Sequence, residues 1–99
     1  MREFVEKFRH NNNLEKLCRE EGISYLAVFG SYARDEANEN SDLDLLYRFK
    51  RSITYFQFYD VLERLTTLFG VKIDAVSESH LREPFRQAIA DDVGMLYEE

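Results

Sequence analysis

Gly30 and Ser31, a ten-residue gap, and then Asp42-Leu43-Asp44 bring together residue types that suit binding a nucleoside triphosphate with its metal ions. Glycine removes the side chain that would hold the backbone away from a phosphate. The serine after it brings a hydroxyl and an amide to what reads as the start of a helix, where an anion is favoured. Two aspartates at alternate positions of a strand share one face. They offer the hard oxygens that Mg²⁺ requires, as in two-metal transfer enzymes. Without a cation such neighbours repel, so one of them resists ionisation.

Two further residues extend the set. Asp74 lies in the next strand-like segment and is the candidate third carboxylate, as a metal ligand or as acceptor of the proton of an attacking hydroxyl. Arg34, one turn beyond Ser31, is open between a phosphate contact and a surface ion pair. The bland reading of Asp42 and Asp44, a solvated strand edge, is weakened by the apolar residues that alternate with them.

These side chains need elements to hold them. The pattern predicts helices over residues 2–10 and 13–21, the second capped by Asn12 or Asn13 and stopped by Gly22. ISYLAVF (23–29) reads as a buried strand ended by Gly30. A short helix over 31–37 and a loop over 38–41 lead to a second strand at 42–49. The aromatic and leucine spacing of 54–69 predicts an amphipathic helix closed by Gly70. A third strand follows over 71–76, then a helix over 78–92 in which Pro84 opens a new turn, ended by Gly94, and a short edge strand at 95–97. Strands alternating with helices predict an α/β fold, a small mixed β-sheet flanked by helices, with all of residues 1–99 in one domain.

The composition narrows the function. Apolar residues make up 44% of the chain and aromatics 14%, a globular balance. A formal net charge of −6 argues against direct nucleic-acid binding. The basic run Arg48, Lys50 and Arg51 reads as a solvated strand end. No stretch reaches membrane-spanning length, and Met1 to His10 is charged and lacks the h-region expected of a signal peptide. The single Cys18 fits a small apolar filler in a reducing, cytoplasmic setting. His10 and His80 lack ligand spacing. The aromatic stripe Tyr55, Phe58, Tyr59 and Phe69 reads as core that extends in part to a partner surface.

The segment GSYARDEANENSDLDLL resembles the signature of the DNA polymerase β-type nucleotidyltransferases. More narrowly, it resembles the minimal nucleotidyltransferases (MNT domains) paired with HEPN-domain toxins. Gly30, Ser31, Asp42 and Asp44 match that group's spacing, and KIDAV around Asp74 and the terminal GMLYE continue the likeness. One departure is Asp35, where the group commonly has glycine. Aspartate tolerates unusual backbone angles, but it adds a negative charge near the expected phosphate site. The resemblance implies the nucleotidyltransferase fold and an antitoxin that uses ATP and Mg²⁺ to transfer AMP to a tyrosine of a HEPN ribonuclease toxin. Its metal would be bound by Asp42, Asp44 and Asp74, and its nucleotide by Gly30, Ser31 and Arg34. The alternative is an antitoxin that neutralises its partner by binding alone.

Overall fold

Strand β1, Ile23–Phe29, is the expected apolar run, and it lies inside a four-stranded sheet. The computed structural model describes residues 3–99. Before β1 come helices α1 (Glu3–Phe8) and α2 (Asn12–Glu21). After it follow a 3₁₀ turn (Gly30–Tyr32), strand β2 (Leu43–Phe49) and helix α3 (Tyr55–Phe69). Strand β3 (Ile73–Ser77), a second 3₁₀ turn (Glu78–His80), helix α4 (Phe85–Ile89) and strand β4 (Gly94–Glu98) complete the order. The sheet runs β3-β2-β1-β4, with β1 antiparallel to both its neighbours and β3 parallel to β2 across α3.

Local chemistry sets the boundaries of the longer helices. The Thr54 hydroxyl accepts from the Gln57 amide at 3.1 Å while Gln57 Oε1 accepts from the Thr54 amide at 2.9 Å, a reciprocal cap on α3. Gly70 ends that helix in the left-handed region at φ 75°. Asn11 caps α2 by accepting from the Leu14 amide at 2.9 Å, one residue ahead of the expected Asn12 or Asn13. Asn11 has extended backbone, which leaves Asn12 already helical.

The two faces of the sheet are covered unequally. On one, Leu26, Val28, Leu43 and Leu45 pack with Val5, Phe8, Leu14, Leu17 and Cys18 of α1 and α2, and with Val61, Leu65 and Phe69 of α3. Each such leucine or valine contributes about 1.5–3 kcal/mol through burial. Cys18 is fully enclosed there, and burial pushes its thiol up to about 12, as a filler would behave. The opposite face carries a smaller cluster of Ala27, Phe29 and Leu46 with Leu81 and Ile89.

Several expectations are corrected. The first helix spans Glu3–Phe8, and Arg2, expected within it, lies outside the described residues. The helix expected over 78–92 is only a 3₁₀ turn and the short α4. Pro84 lacks an amide and disfavours helical backbone at the residue before it, so α4 begins after it. Gly94 ends no helix; it opens β4. The third strand runs two residues later at its start and one at its end than 71–76. The helix expected over 31–37 is the 3₁₀ turn alone, because Asp35 takes φ 59° and a right-handed helix cannot continue through it.

Candidate active site

The turn after β1 is pinned by its own side chains. Tyr32 meets Phe4 of α1 in a tilted contact with ring centroids 4.8 Å apart, and Phe4 in turn meets Phe69 of α3 at 5.7 Å. Ala33 is buried. Glu36 and Arg34 donate their amides to the Ser31 carbonyl at 2.9 and 3.2 Å, closing the loop on itself. The first amides of a helical turn have no intrahelical acceptor, so this fixed backbone can present them to an anion. With only three residues in the turn, that capacity comes from local N–H groups rather than from an extended helix dipole.

Beside the turn stand the carboxylates. Asp44 is opposite Phe29 of β1 and opposite Asp74 of β3 in the strand registers. It alternates with the core residues Leu43 and Leu45 and so faces the smaller-cluster side of the sheet. Asp42 is exposed one residue ahead of β2, whose start is Leu43 rather than the expected 42. Burial, then the charges of Asp74 and Asp42, raise the Asp44 carboxyl above its ordinary value, with Arg34 pulling it the other way. That electrostatic crowding is what a cation would relieve.

Gly30 has φ 74°, a left-handed backbone that glycine adopts freely. A Cβ added there would overlap Asp44 Oδ2 and lie 3.2 Å from Asp44 Cγ. The glycine therefore does two jobs, shaping the turn and leaving room for the carboxylate. Hard oxygens grouped around a bare backbone turn fit a divalent cation together with phosphate oxygens. Among the described residues no three His, Cys, Asp or Glu side chains converge as a ready-made cage. Mg²⁺ ordinarily takes one or two carboxylates and fills its shell with phosphate and water.

Arg34 pairs with Glu36 and with Asp92, each at 2.9 Å, which ties the turn to the segment before β4. The Asp35 carboxylate accepts from the Glu3 amide at 3.0 Å, at the start of α1. The charge expected beside the phosphate turn is therefore engaged at that helix end. Sequence reasoning missed Tyr32, Phe4 and Asp92 as supports of the site. The four-residue spacing of Phe4 and Phe8 in α1 is the signal of a buried face, but nothing local ties it to the turn. Of the basic run, Arg48 pairs with Glu78 at 2.8 Å and Lys50 with Glu99 at 2.6 Å. His10 and His80 are both exposed.

A mixed sheet that brings a glycine turn against paired strand aspartates defines a small α/β fold whose turn and carboxylates suit phosphate oxygens and a cation. The chain belongs to the family described as "Polymerase beta, Nucleotidyltransferase", whose model matches residues 12–99. It is 35% identical over 72 residues to the protein adenylyltransferase MntA of Thermococcus cleftensis, covering 73% of each chain. A solved structure of a putative minimal nucleotidyltransferase is similar with a TM-score of 0.68 and 37% identity, over 82% of this chain and 83% of that one. The fold also matches a chain in the complex of a tri-AMPylated Shewanella oneidensis HEPN toxin with its MNT antitoxin. There the TM-score is 0.61 at 17% identity, over 100% of this chain and 74% of that one. No helix among the described residues is long and apolar enough to cross a membrane.

Proposed function

We propose that this chain, as one catalytic domain, is a Mg²⁺-dependent protein adenylyltransferase that transfers AMP from ATP to a tyrosine hydroxyl of a HEPN-domain ribonuclease toxin in the cytoplasm. The observation that carries the reading is the close fit of the Gly30 turn to Asp44, itself beside Asp74. The likeness to a protein adenylyltransferase supplies the acceptor class.

In this reading the Gly30–Ser31 backbone and the Ser31 hydroxyl hold the phosphates that leave as pyrophosphate. Arg34, engaged by Glu36 and Asp92, fastens that turn to the segment before β4. The Asp42, Asp44 and Asp74 carboxylates would hold Mg²⁺, which when bound neutralises charge on the phosphate oxygens. Asp74, more exposed than Asp44, takes the proton of the acceptor hydroxyl as its oxygen attacks the α-phosphorus. The new bond joins tyrosine oxygen to phosphorus, and the bond broken is the one to pyrophosphate.

The test combines the protein, ATP, Mg²⁺ and the HEPN-domain protein of the adjacent reading frame, and weighs that partner by mass spectrometry. A gain of one or more adenylyl units is expected. No gain, or the same gain with Asp42→Asn plus Asp44→Asn, rejects the reading. Neutralisation by binding alone is the second reading, favoured by exposed rings on α3. Full protection of cells by the double Asp→Asn variant would select it.

A further inference from the structure

Phe85, the first residue of α4, leaves 46% of its surface exposed. Its ring meets Phe29 with centroids 6.0 Å apart and planes at 83°. Phe29 is the β1 residue directly opposite Asp44. Directly opposite residues of an antiparallel pair share a face, with Cβ atoms about 5 Å apart. A half-open aromatic ring therefore stands on the carboxylate face of the sheet, one neighbour removed from Asp44.

Packing does not account for the ring. Helix α4 is anchored by Ile89, which is buried with Ala27, Leu46 and Leu81. A near-perpendicular contact covers at most one broad face of Phe85, so the other is free of Phe29. The segment that follows α4 is tied to the Gly30–Tyr32 turn by the 2.9 Å pair of Asp92 with Arg34. Ring and turn are thus held in register with one another.

The order of the strands decides what the ring meets. Asp74, Asp44 and Phe29 are successive neighbours across β3, β2 and β1. Asp74 is therefore two strand spacings from Phe29, about 10 Å. In an in-line transfer the attacking and leaving oxygens lie on opposite sides of the phosphorus. With pyrophosphate leaving at the turn and the acceptor hydroxyl at Asp74, the acceptor's own ring lies away from Phe85. The group that remains is the nucleoside, tied through its ribose to the α-phosphate over Asp44.

A base gains by stacking on an aromatic side chain, whatever its hydrogen-bonding edge. The gain grows with the area overlapped, so a two-ring purine exceeds a one-ring pyrimidine. Adenine and guanine, alike in size, are not separated by it. We infer that Phe85 is the platform on which the base of the nucleotide stacks, favouring purine over pyrimidine triphosphates. The inference rests on the proposed nucleotidyl transfer and adds to it the residue that reads the base.

The experiment measures binding of nonhydrolysable ATP, GTP and CTP analogues and of inorganic tripolyphosphate, each with Mg²⁺. Leucine at Phe85 keeps an apolar contact for Phe29 but removes the ring. Phe85→Leu is expected to bind the two purine analogues about tenfold more weakly and tripolyphosphate as the unaltered chain does. Its preference for ATP over CTP should collapse, and Phe85→Tyr should restore it. The chain has no tryptophan, so Phe85→Trp places a single indole at this position. Its emission should change with the ATP analogue and stay constant with tripolyphosphate.

Purine binding by Phe85→Leu within about twofold of the unaltered chain overturns the platform. So does an equal loss for tripolyphosphate, which marks a purely structural ring. A raised KM for the protein acceptor with nucleotide binding intact overturns it too, by assigning the ring to the acceptor. An unaltered chain that binds the ATP analogue no more tightly than tripolyphosphate overturns the platform alone. Ring-dependent binding of ATP without any adenylyl mass gain in the partner rejects the transferase reading and leaves the platform standing.

Discussion

Gly30 and Asp44 occupy one another's space so closely that a single methyl group on the glycine would overlap Asp44 Oδ2. Gly70 provides the internal comparison, since its φ of 75° matches the 74° of Gly30 but nothing lies within 4 Å of an added Cβ. Alanine at either position carries backbone strain of about 1–2 kcal/mol. Gly70→Ala should therefore lower Tm by about 4–16 °C and leave AMP transfer intact. Gly30→Ala should lower Tm at least as far and also reduce kcat/KM for ATP by about 100-fold, because the turn or the carboxylate must move by a fraction of an ångström or more. Thermal melts and initial rates on the two variants check this, and equal activity would refute the coupling.

Asp44 should be a residue that the fold would be more stable without. Its carboxyl is raised by burial and by Asp74 and Asp42. A raised carboxyl means that ionisation works against the folded state. The destabilisation is absent below the ordinary value of 3.8, grows as pH rises through the folded-state value, and is constant above it. Asp44→Asn should accordingly raise Tm at pH 7 by about 2–4 °C, the scale of a partly exposed charge interaction. That gain should shrink to zero as the pH falls below the ordinary range, while transfer is lost at every pH. Melting curves of both proteins across pH 3–8 test the sign.

Much of this was legible because the deciding interactions are local. The span of β1 follows from ISYLAVF, and the ends of α3 follow from Thr54, Gln57 and Gly70, whose capping bonds connect residues three or four apart. Asp44 and Asp74 could be placed on neighbouring strands because strand alternation is short-range, whereas Asp42 falls one residue ahead of β2. What was not legible depends on distant contacts. Nothing near Arg34 announces Asp92, 58 residues away, and nothing near Tyr32 announces Phe4. The 78–92 segment reads as one helix by pattern, yet Pro84 and the packing of Leu81 and Ile89 under the sheet break it into a 3₁₀ turn and the short α4.

Asp35 stands in the left-handed region at φ 59° and accepts from the Glu3 amide. Its departure from glycine is thus a trade of backbone ease for a link to α1. Asp35→Gly should relieve the strain and lose that link, leaving Tm within about 3 °C of the unaltered protein. Asp35→Ala keeps the strain and loses the hydrogen bond, so it should melt about 4–8 °C lower, the scale of a lost hydrogen bond of about 1 kcal/mol. Transfer rates should be unchanged in both, because the carboxylate is committed at the helix end. A rate increase in Asp35→Gly would show instead that its charge reaches the phosphates.

Arg34 tests how the Gly30–Tyr32 turn is held. Its guanidinium bonds to Glu36 and Asp92 raise its already high pKa further, so the cation is permanent. If Arg34 acts by fastening the turn to the segment before β4, Arg34→Ala and Asp92→Ala break the same link. Both should then raise KM for ATP by a similar factor, about three- to tenfold, with kcat little changed. A guanidinium that swings onto the phosphates would give a different pattern. Arg34→Ala would then be the more damaging by tenfold or more, and Asp92→Ala, by freeing the cation, would lower KM. The geometry of two 2.9 Å pairs favours the first pattern. Steady-state kinetics of the two single variants and the double variant decide between them, with the double variant expected to be no worse than either single one.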